Sequence, residues 1–323
     1  MSPQPARPLI AIHGGAGTIS RDSGSDREAA YHAALKDILT PAQKLLAAGG
    51  SALDAVTLAV ELLEECPLFN AGHGAVFTHA ETHELDAAVM DGATLRAGAV
   101  GCLMRVRRPV RFARAVMERT DHVLLVGPGA EAVAERLGLE MVSNDFFSTD
   151  ARRQQLHRAL AAGRTVLDHD GATLAAQERT PLDETRKFGT VGAVAVDAQG
   201  NLAAATSTGG MTNKQPGRIG DSPSIGAGTY ADNRSAAISC TGPGEMFIRA
   251  AAAHDVCARM AYGGLSLEAA THEVMMKALP AIGGRGGMIA VEALGNLAMP
   301  FNSEGMYRGY ARAGEEPHTA IFR

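Results

Sequence analysis

Apolar residues along the chain recur with two spacings, every second position and every third or fourth. The switches between them outline the elements. Residues 8–13 are almost wholly apolar and predict a short buried strand, and the glycines of Gly14-Gly15-Ala16-Gly17 predict a turn after it. Helical spacing then runs over 26–48 and closes at Gly49-Gly50. Ser51, with Asp54 three residues on, predicts the capped start of a second helix that reaches about Glu65 and stops before Pro67. Paired strands are expected over 84–90 and 97–104 around the Asp91-Gly92 turn, followed by a helix over 111–119, a strand over 122–126 and a helix over 130–137.

Both patterns fade over about 148–187, where large apolar residues are few and charges dense, as in Asp168-His169-Asp170-Gly171 and Glu184-Thr185-Arg186-Lys187. This stretch predicts a polar, partly helical, mobile connector. Order returns at Phe188-Gly189-Thr190, with a strand over 190–196, a turn at 197–200 and a returning strand over 201–207. Helices over 245–262 and 266–279 precede a last predicted hairpin, 287–292 with 297–301.

Composition narrows the class. Of 323 residues, 46% are hydrophobic, enough for a large core, and the 37 glycines imply many tight turns. A net charge of −5 gives no basis for a nucleic-acid partner. Cys66, Cys102, Cys240 and Cys257 lack the spacing of a zinc ribbon or a disulfide framework and read as core residues in a reducing compartment. No run approaches the roughly 18 apolar residues of a membrane span, so a soluble cytoplasmic protein is expected, with no membrane partner.

One junction carries the chemistry. A polar connector runs into Gly189-Thr190 at the first residue of an apolar strand. Thr at a strand start is ordinary by itself. Four glycine-rich polar segments follow, however, each at a strand end: Thr206-Ser207-Thr208-Gly209-Gly210, 217–223, 226–230 and Thr241-Gly242-Pro243-Gly244-Glu245. Strand-end loops are where binding groups gather. His79 and His83 have the i, i+4 spacing of a metal pair but fall where a turn is expected, and no P-loop or G-x-S-x-G elbow is present.

Together with His13-Gly14-Gly15-Ala16-Gly17, residues 64–72 and residues 84–92, these segments resemble the plant-type asparaginase and isoaspartyl peptidase family of N-terminal nucleophile hydrolases. The resemblance covers nearly the whole chain. It implies a single α/β (α+β) domain over 1–323, a four-layer αββα sandwich that cuts itself between Gly189 and Thr190. The products would be an α subunit, 1–189, and a β subunit, 190–323, assembled as (αβ)2.

The resemblance makes Thr190 the nucleophile and Thr208 its hydrogen-bond partner. Arg218 and Asp221 would hold the α-carboxylate and α-ammonium of the substrate, and Thr241 with Gly242 would form the oxyanion hole. Gly244 and, from the first half, Asn70 would line the pocket. The implied substrates are small molecules, asparagine and β-aspartyl dipeptides. No cofactor is implied for catalysis, only a structural sodium on backbone carbonyls of loop 63–77. A glycosylasparaginase and a catalytically dead binding protein are the alternatives. The first is disfavoured by Gly209-Gly210 and the absence of bridging cysteines, the second by the intact Thr and Arg/Asp set.

Overall fold

In the computed structural model, residues 7–17, 25–161 and 189–323 are described. Two sheets lie face to face. The larger has eight strands in the order β12-β11-β1-β5-β6-β2-β3-β4 and the smaller four, β10-β9-β8-β7. The large sheet comprises β1 (Leu9–Gly17), β2 (Leu85–Asp91), β3 (Ala97–Leu103), β4 (Leu124–Val126), β5 (Val191–Val196), β6 (Leu202–Thr208), β11 (Gly305–Arg312) and β12 (His318–Ala320). The small one comprises β7 (Thr229–Ala231), β8 (Ala236–Thr241), β9 (Gly287–Glu292) and β10 (Leu297–Ala298). All pairings are antiparallel except β3 with β4.

Strand parity explains the layers. On β1, Ile10 and Ile12 join one core cluster and Leu9 and Ala11 another; on β5, Val191, Ala193 and Ala195 face one way and Val194 and Val196 the other. The first set packs under helices α1 (Ser25–Ala47), α2 (Ala52–Glu65) and α3 (Pro109–Arg119). The second meets Ala237, Ile289 and Val291 of the small sheet. The far face of the small sheet, Ala236, Ile238 and Cys240, packs beneath the helices that follow β8. The result is a helix–sheet–sheet–helix sandwich with three apolar layers.

The Ser51 cap is present: its hydroxyl oxygen accepts from the Asp54 N–H at 3.1 Å and its proton goes to the Asp54 carboxylate at 2.7 Å. Several expectations are corrected. Gly14–Gly17 is not a turn: β1 runs through it, with a register shift between His13 and Ala16, and still pairs Gly17 with Gly305. The helix expected over 245–262 is two, α6 (Gly244–Ala250) and α7 (Ala252–Ala261), broken by Ala251 at φ 45°. Helix α8 (Leu267–Glu273) continues through a π-turn at Val274–Ala278.

Part of the expected mobile connector is a docked helix. After α4 (Gly127–Arg136), residues 150–161 form α5 (Asp150–Ala161) with Gln155, Leu156 and Ala159 buried. Arg152 Nε of α5 donates to the Gly74 carbonyl at 2.7 Å, and Arg153 lies over the Phe77 ring. The remainder of the connector, 162–187, lies outside the described residues. Among the described residues no helix is long and apolar enough to cross a membrane, and no group of His, Cys, Asp and Glu side chains is placed to hold a metal.

Candidate active site

The face-to-face sheets leave polar residues at one end of their interface. The register that pairs Val191 with Ser207 and Gly192 with Thr206 brings Thr190 opposite Thr208. Parity turns both side chains toward the small sheet, where Ser239 and Thr241 of β8 turn toward them. Thr190 is 6% exposed; its hydroxyl donates to Thr208 Oγ1 at 3.3 Å, and that oxygen also accepts from the Gly210 N–H at 2.9 Å. Gly189, Thr190, Thr208, Arg218, Asp221 and Gly242 share one narrow pocket.

Charge in this pocket is concentrated on the loop after β6. Asp221 is buried; its carboxyl is pushed up to about 7 by burial, against the pull of the Arg218 guanidinium, and its Oδ2 has no partner among the described residues. A buried carboxylate oxygen without a donor costs stability and marks a place for one. Arg218 is not open in the way the sequence suggests. Its Nε and Nη2 hold Glu245 at 2.9 and 3.0 Å, a pairing the reading of the motif missed. An incoming carboxylate must share or take that fork.

Thr241 stands at the end of β8, where its Oγ1 accepts from the Ala16 N–H at 3.3 Å. The hydroxyl proton is thereby left to point elsewhere. Gly244 presses on Asp221, since a Cβ there would lie 2.9 Å from Oδ1. Asn70 backs onto Gly189, and both ends of its amide are committed: Nδ2 donates to the Gly210 carbonyl at 2.7 Å and Oδ1 accepts from the Val76 N–H at 2.8 Å. It holds the glycine loop in place beside Gly189.

Sequence reasoning missed three supports. His13 Nδ1 lies 3.0 Å from the Thr190 carbonyl, which can only accept, so Nδ1 carries the proton and Nε2 accepts from Ser239 Oγ at 2.9 Å. Burial lowers the imidazole pKa to about 3, so the ring is neutral. Ser239 continues to Thr206 at 2.7 Å and Thr206 to Thr229 at 2.6 Å, a buried polar chain between the sheets. The second support is a buried lysine: Lys214 Nζ donates to the Glu84 carbonyl at 2.9 Å beneath the loop that carries Arg218. The third is Glu64, raised to about 8 by burial and clamping α2 to β6 through Ser207 at 2.6 Å. Strand parity was the available signal for His13; the other two have none at short range.

The sheets approach closely here. A Cβ on Gly192 would lie 1.9 Å from Ser239 Oγ and 2.5 Å from His13 Nε2. Gly192→Ala should therefore destabilise the protein by about 1–3 kcal/mol, as overpacking does, and loosen the site. Denaturant unfolding that matches the parent would refute this.

Loop 63–77 turns carbonyls inward. The Pro67 and Phe69 oxygens lie 2.6 and 2.8 Å from where a Cβ on Gly74 would sit, and the Glu64 oxygen 2.3 Å from one on Gly72. The Glu64 oxygen is already taken by the His73 N–H at 2.7 Å. The His79–His83 pair does not form a metal site: His79 Nδ1 meets Asn213 Oδ1 at 2.8 Å, and His83 bonds the Val76 carbonyl and Ser148.

The asparaginase family model matches residues 6–321. The chain is 61% identical to the isoaspartyl peptidase of Salmonella typhimurium over 98% of both chains. It is 60% identical to that of Escherichia coli over 98% of this chain and 96% of the other. The plant-type L-asparaginase of Pyrobaculum calidifontis is 40% identical over 95% and 97%. A sandwich of two sheets between helices, with its threonines and charged loop at one end, agrees with these matches: the chain belongs to the asparaginase family.

Proposed function

We propose that the protein is a self-processing hydrolase of β-aspartyl amides, acting on β-aspartyl dipeptides and on asparagine. The observation that carries this reading is the convergence of the Thr190–Thr208 pair with Asp221 and Arg218 in one pocket. Maturation begins when Thr190 Oγ attacks the Gly189 carbonyl. The ester that forms is hydrolysed, leaving fragments 1–189 and 190–323, the second with Thr190 at its N-terminus.

The freed α-amine has an ordinary pKa of about 7.7–8.0, suited to taking the proton of its own hydroxyl. Thr208 orients that hydroxyl. Asp221 takes the substrate ammonium and Arg218 the carboxylate, so the carbonyl presented to Thr190 comes from the side chain. Charge developing on that oxygen meets the Thr241 hydroxyl and the Gly242 N–H. The departing amine takes the proton back, and water then cleaves the aspartyl ester.

Thr241→Ala should lower kcat by roughly 10²-fold or more, with a smaller effect on KM. If steady-state kinetics show a change in KM alone, Thr241 binds substrate instead. The reading as a whole is tested by comparing rates on a β-aspartyl dipeptide, asparagine and a glycosylated asparagine. Dominant turnover of the last would make the protein a glycosylasparaginase, and an uncleaved, inert chain would make it a binding protein.

Three further features belong to this proposal. A sodium ion of structural role would take its ligands from backbone carbonyls of loop 63–77, the Pro67 and Phe69 oxygens near Gly74 among them. An (αβ)2 assembly would give cover to Leu124 and Val126 of the edge strand β4 and to Val123 just before it, all apolar and exposed. Four free cysteines accord with a cytoplasmic location.

A further inference from the structure

Two cavities meet at Gly189. One is the narrow pocket of Thr190; the other, of about 440 Å³, lies between the end of β1, α1 and α5. Three residues lining the larger cavity are arginines, Arg27, Arg152 and Arg158, and none of its described lining residues is acidic. Arg152 is held by neutral oxygens alone among the described residues, the Gly74 carbonyl at 2.7 Å and Gln155 Oε1 at 3.0 Å. The first turn of α5 shares this wall, with its helix N-terminus offset by Asp150, which does not line the cavity. Opposite stand Tyr31 and Tyr307, stacked with ring centroids 4.1 Å apart.

Such a space takes a small anion with an apolar body. Gly189 lines both cavities, so release of its peptide bond to Thr190 opens one into the other. We propose that the larger cavity receives the leaving side of a β-aspartyl dipeptide. Arg152 and Arg158 would hold the carboxylate of the amino acid released, and the tyrosine pair would flank its side chain. This rests on the amidohydrolase reading and deepens it. Asparagine releases only ammonia and leaves the cavity unused, so the geometry favours β-aspartyl dipeptides over asparagine. The bond changes are those of the hydrolysis already described: the released amine takes its proton from the Thr190 ammonium.

The matured protein is assayed on β-aspartyl-leucine, on β-aspartyl-leucinamide, which lacks the carboxylate, and on asparagine. A lost charge-assisted hydrogen bond corresponds to about tenfold, so kcat/KM on the acid should exceed that on the amide by about that factor. Arg158→Gln and Arg152→Gln should each bring the acid-to-amide ratio toward one and lower the ratio of β-aspartyl-leucine to asparagine. Arg152 also anchors α5 to Gly74, so Arg158→Gln, at an exposed position of the same wall, keeps the test independent of folding. Equal kcat/KM on acid and amide in the parent would overturn the assignment. So would variants that slow all three substrates alike. No turnover of any of the three would overturn the amidohydrolase reading itself, and the inference with it.

Discussion

Thr190→Ala is expected to leave one intact polypeptide of 323 residues and to remove hydrolysis of every β-aspartyl amide. One hydroxyl serves both events. In the proposed mechanism it attacks the Gly189 carbonyl during maturation and the substrate carbonyl afterwards, and among the hydroxyl residues of the pocket Thr190 alone would gain a free α-amine. Loss of a covalent nucleophile costs on the order of 10⁶-fold in kcat in comparable hydrolases. Thr190→Ser should cleave itself and turn over substrate more slowly, because the methyl that fixes the rotamer of a buried threonine is gone. The alanine variant gives up one 3.3 Å hydrogen bond in a well-packed strand, so its fold should persist, as thermal unfolding can check. Intact-mass measurement and a β-aspartyl-leucine assay decide the matter. A cleaved alanine variant, or an active one, places the nucleophile elsewhere.

The second large effect lies in the charged pair. Arg218 and Asp221 sit three residues apart on one loop and can meet the two charges of a single free amino-acid end. An α-aspartyl peptide has spent its α-carboxylate in the bond, so β-aspartyl-leucine should be cleaved and α-aspartyl-leucine left. A γ-glutamyl analogue should react about 10²-fold more slowly, since one methylene displaces its carbonyl by about an ångström. Arg218→Ala should cost every β-aspartyl substrate about 2–5 kcal/mol. Comparable rates on the α- and β-linked dipeptides would remove this reading of the loop.

Asp221 adds a pH signature. Burial pushes its carboxyl up to about 7, and an ammonium needs it ionised. KM should therefore rise about tenfold for each pH unit below 7, in addition to the fall in kcat as the Thr190 amine protonates. The same shift works against folding. With its pKa raised in the folded state, Asp221 binds more protons there than in the unfolded chain between about pH 4 and 7, so its contribution to stability declines as pH rises through that window. Asp221→Asn should bind substrate poorly yet be more stable than the parent at pH 8, with the gap closing near pH 4. A variant less stable at pH 8 would show that the ionised carboxylate is held by donors after all.

What the sequence discloses depends on the range of the interaction. The start of β5, one residue after Thr190, was legible because a polar connector meets an apolar strand there, a contrast between neighbours. The roles assigned to Thr208 and Thr241 came only through resemblance, since sheet register sets Thr208 against Thr190 and the packing of one sheet on another turns Thr241 toward that sheet. Gly14–Gly17 read as a turn because glycines mask strand spacing; the chain shifts register through Gly14 and Gly15, and pairing of Ala16 and Gly17 with β11 carries the strand on. Strand β11 itself, with Gly, Arg and Tyr among its residues, went unread. Ala251 broke a helix with no glycine or proline to announce it. The Glu245 hold on Arg218 and the buried Lys214 were beyond reach, because both are tertiary contacts between groups that ordinarily face solvent.

The order of the large sheet bears on how the protein would persist if it cuts itself as proposed. Strands β12 and β11 lie after Thr190, β1 before it, β5 and β6 after it, and β2, β3 and β4 before it, so the two fragments are interleaved edge to edge. While the chain is whole, folding is a unimolecular search. After cleavage the same sheet can be rebuilt only when two separate chains meet, each exposing unpaired strands meanwhile. Unfolding of the mature protein would then be effectively one-way at low concentration. Its working lifetime would be set by the rate at which it opens and not by an equilibrium.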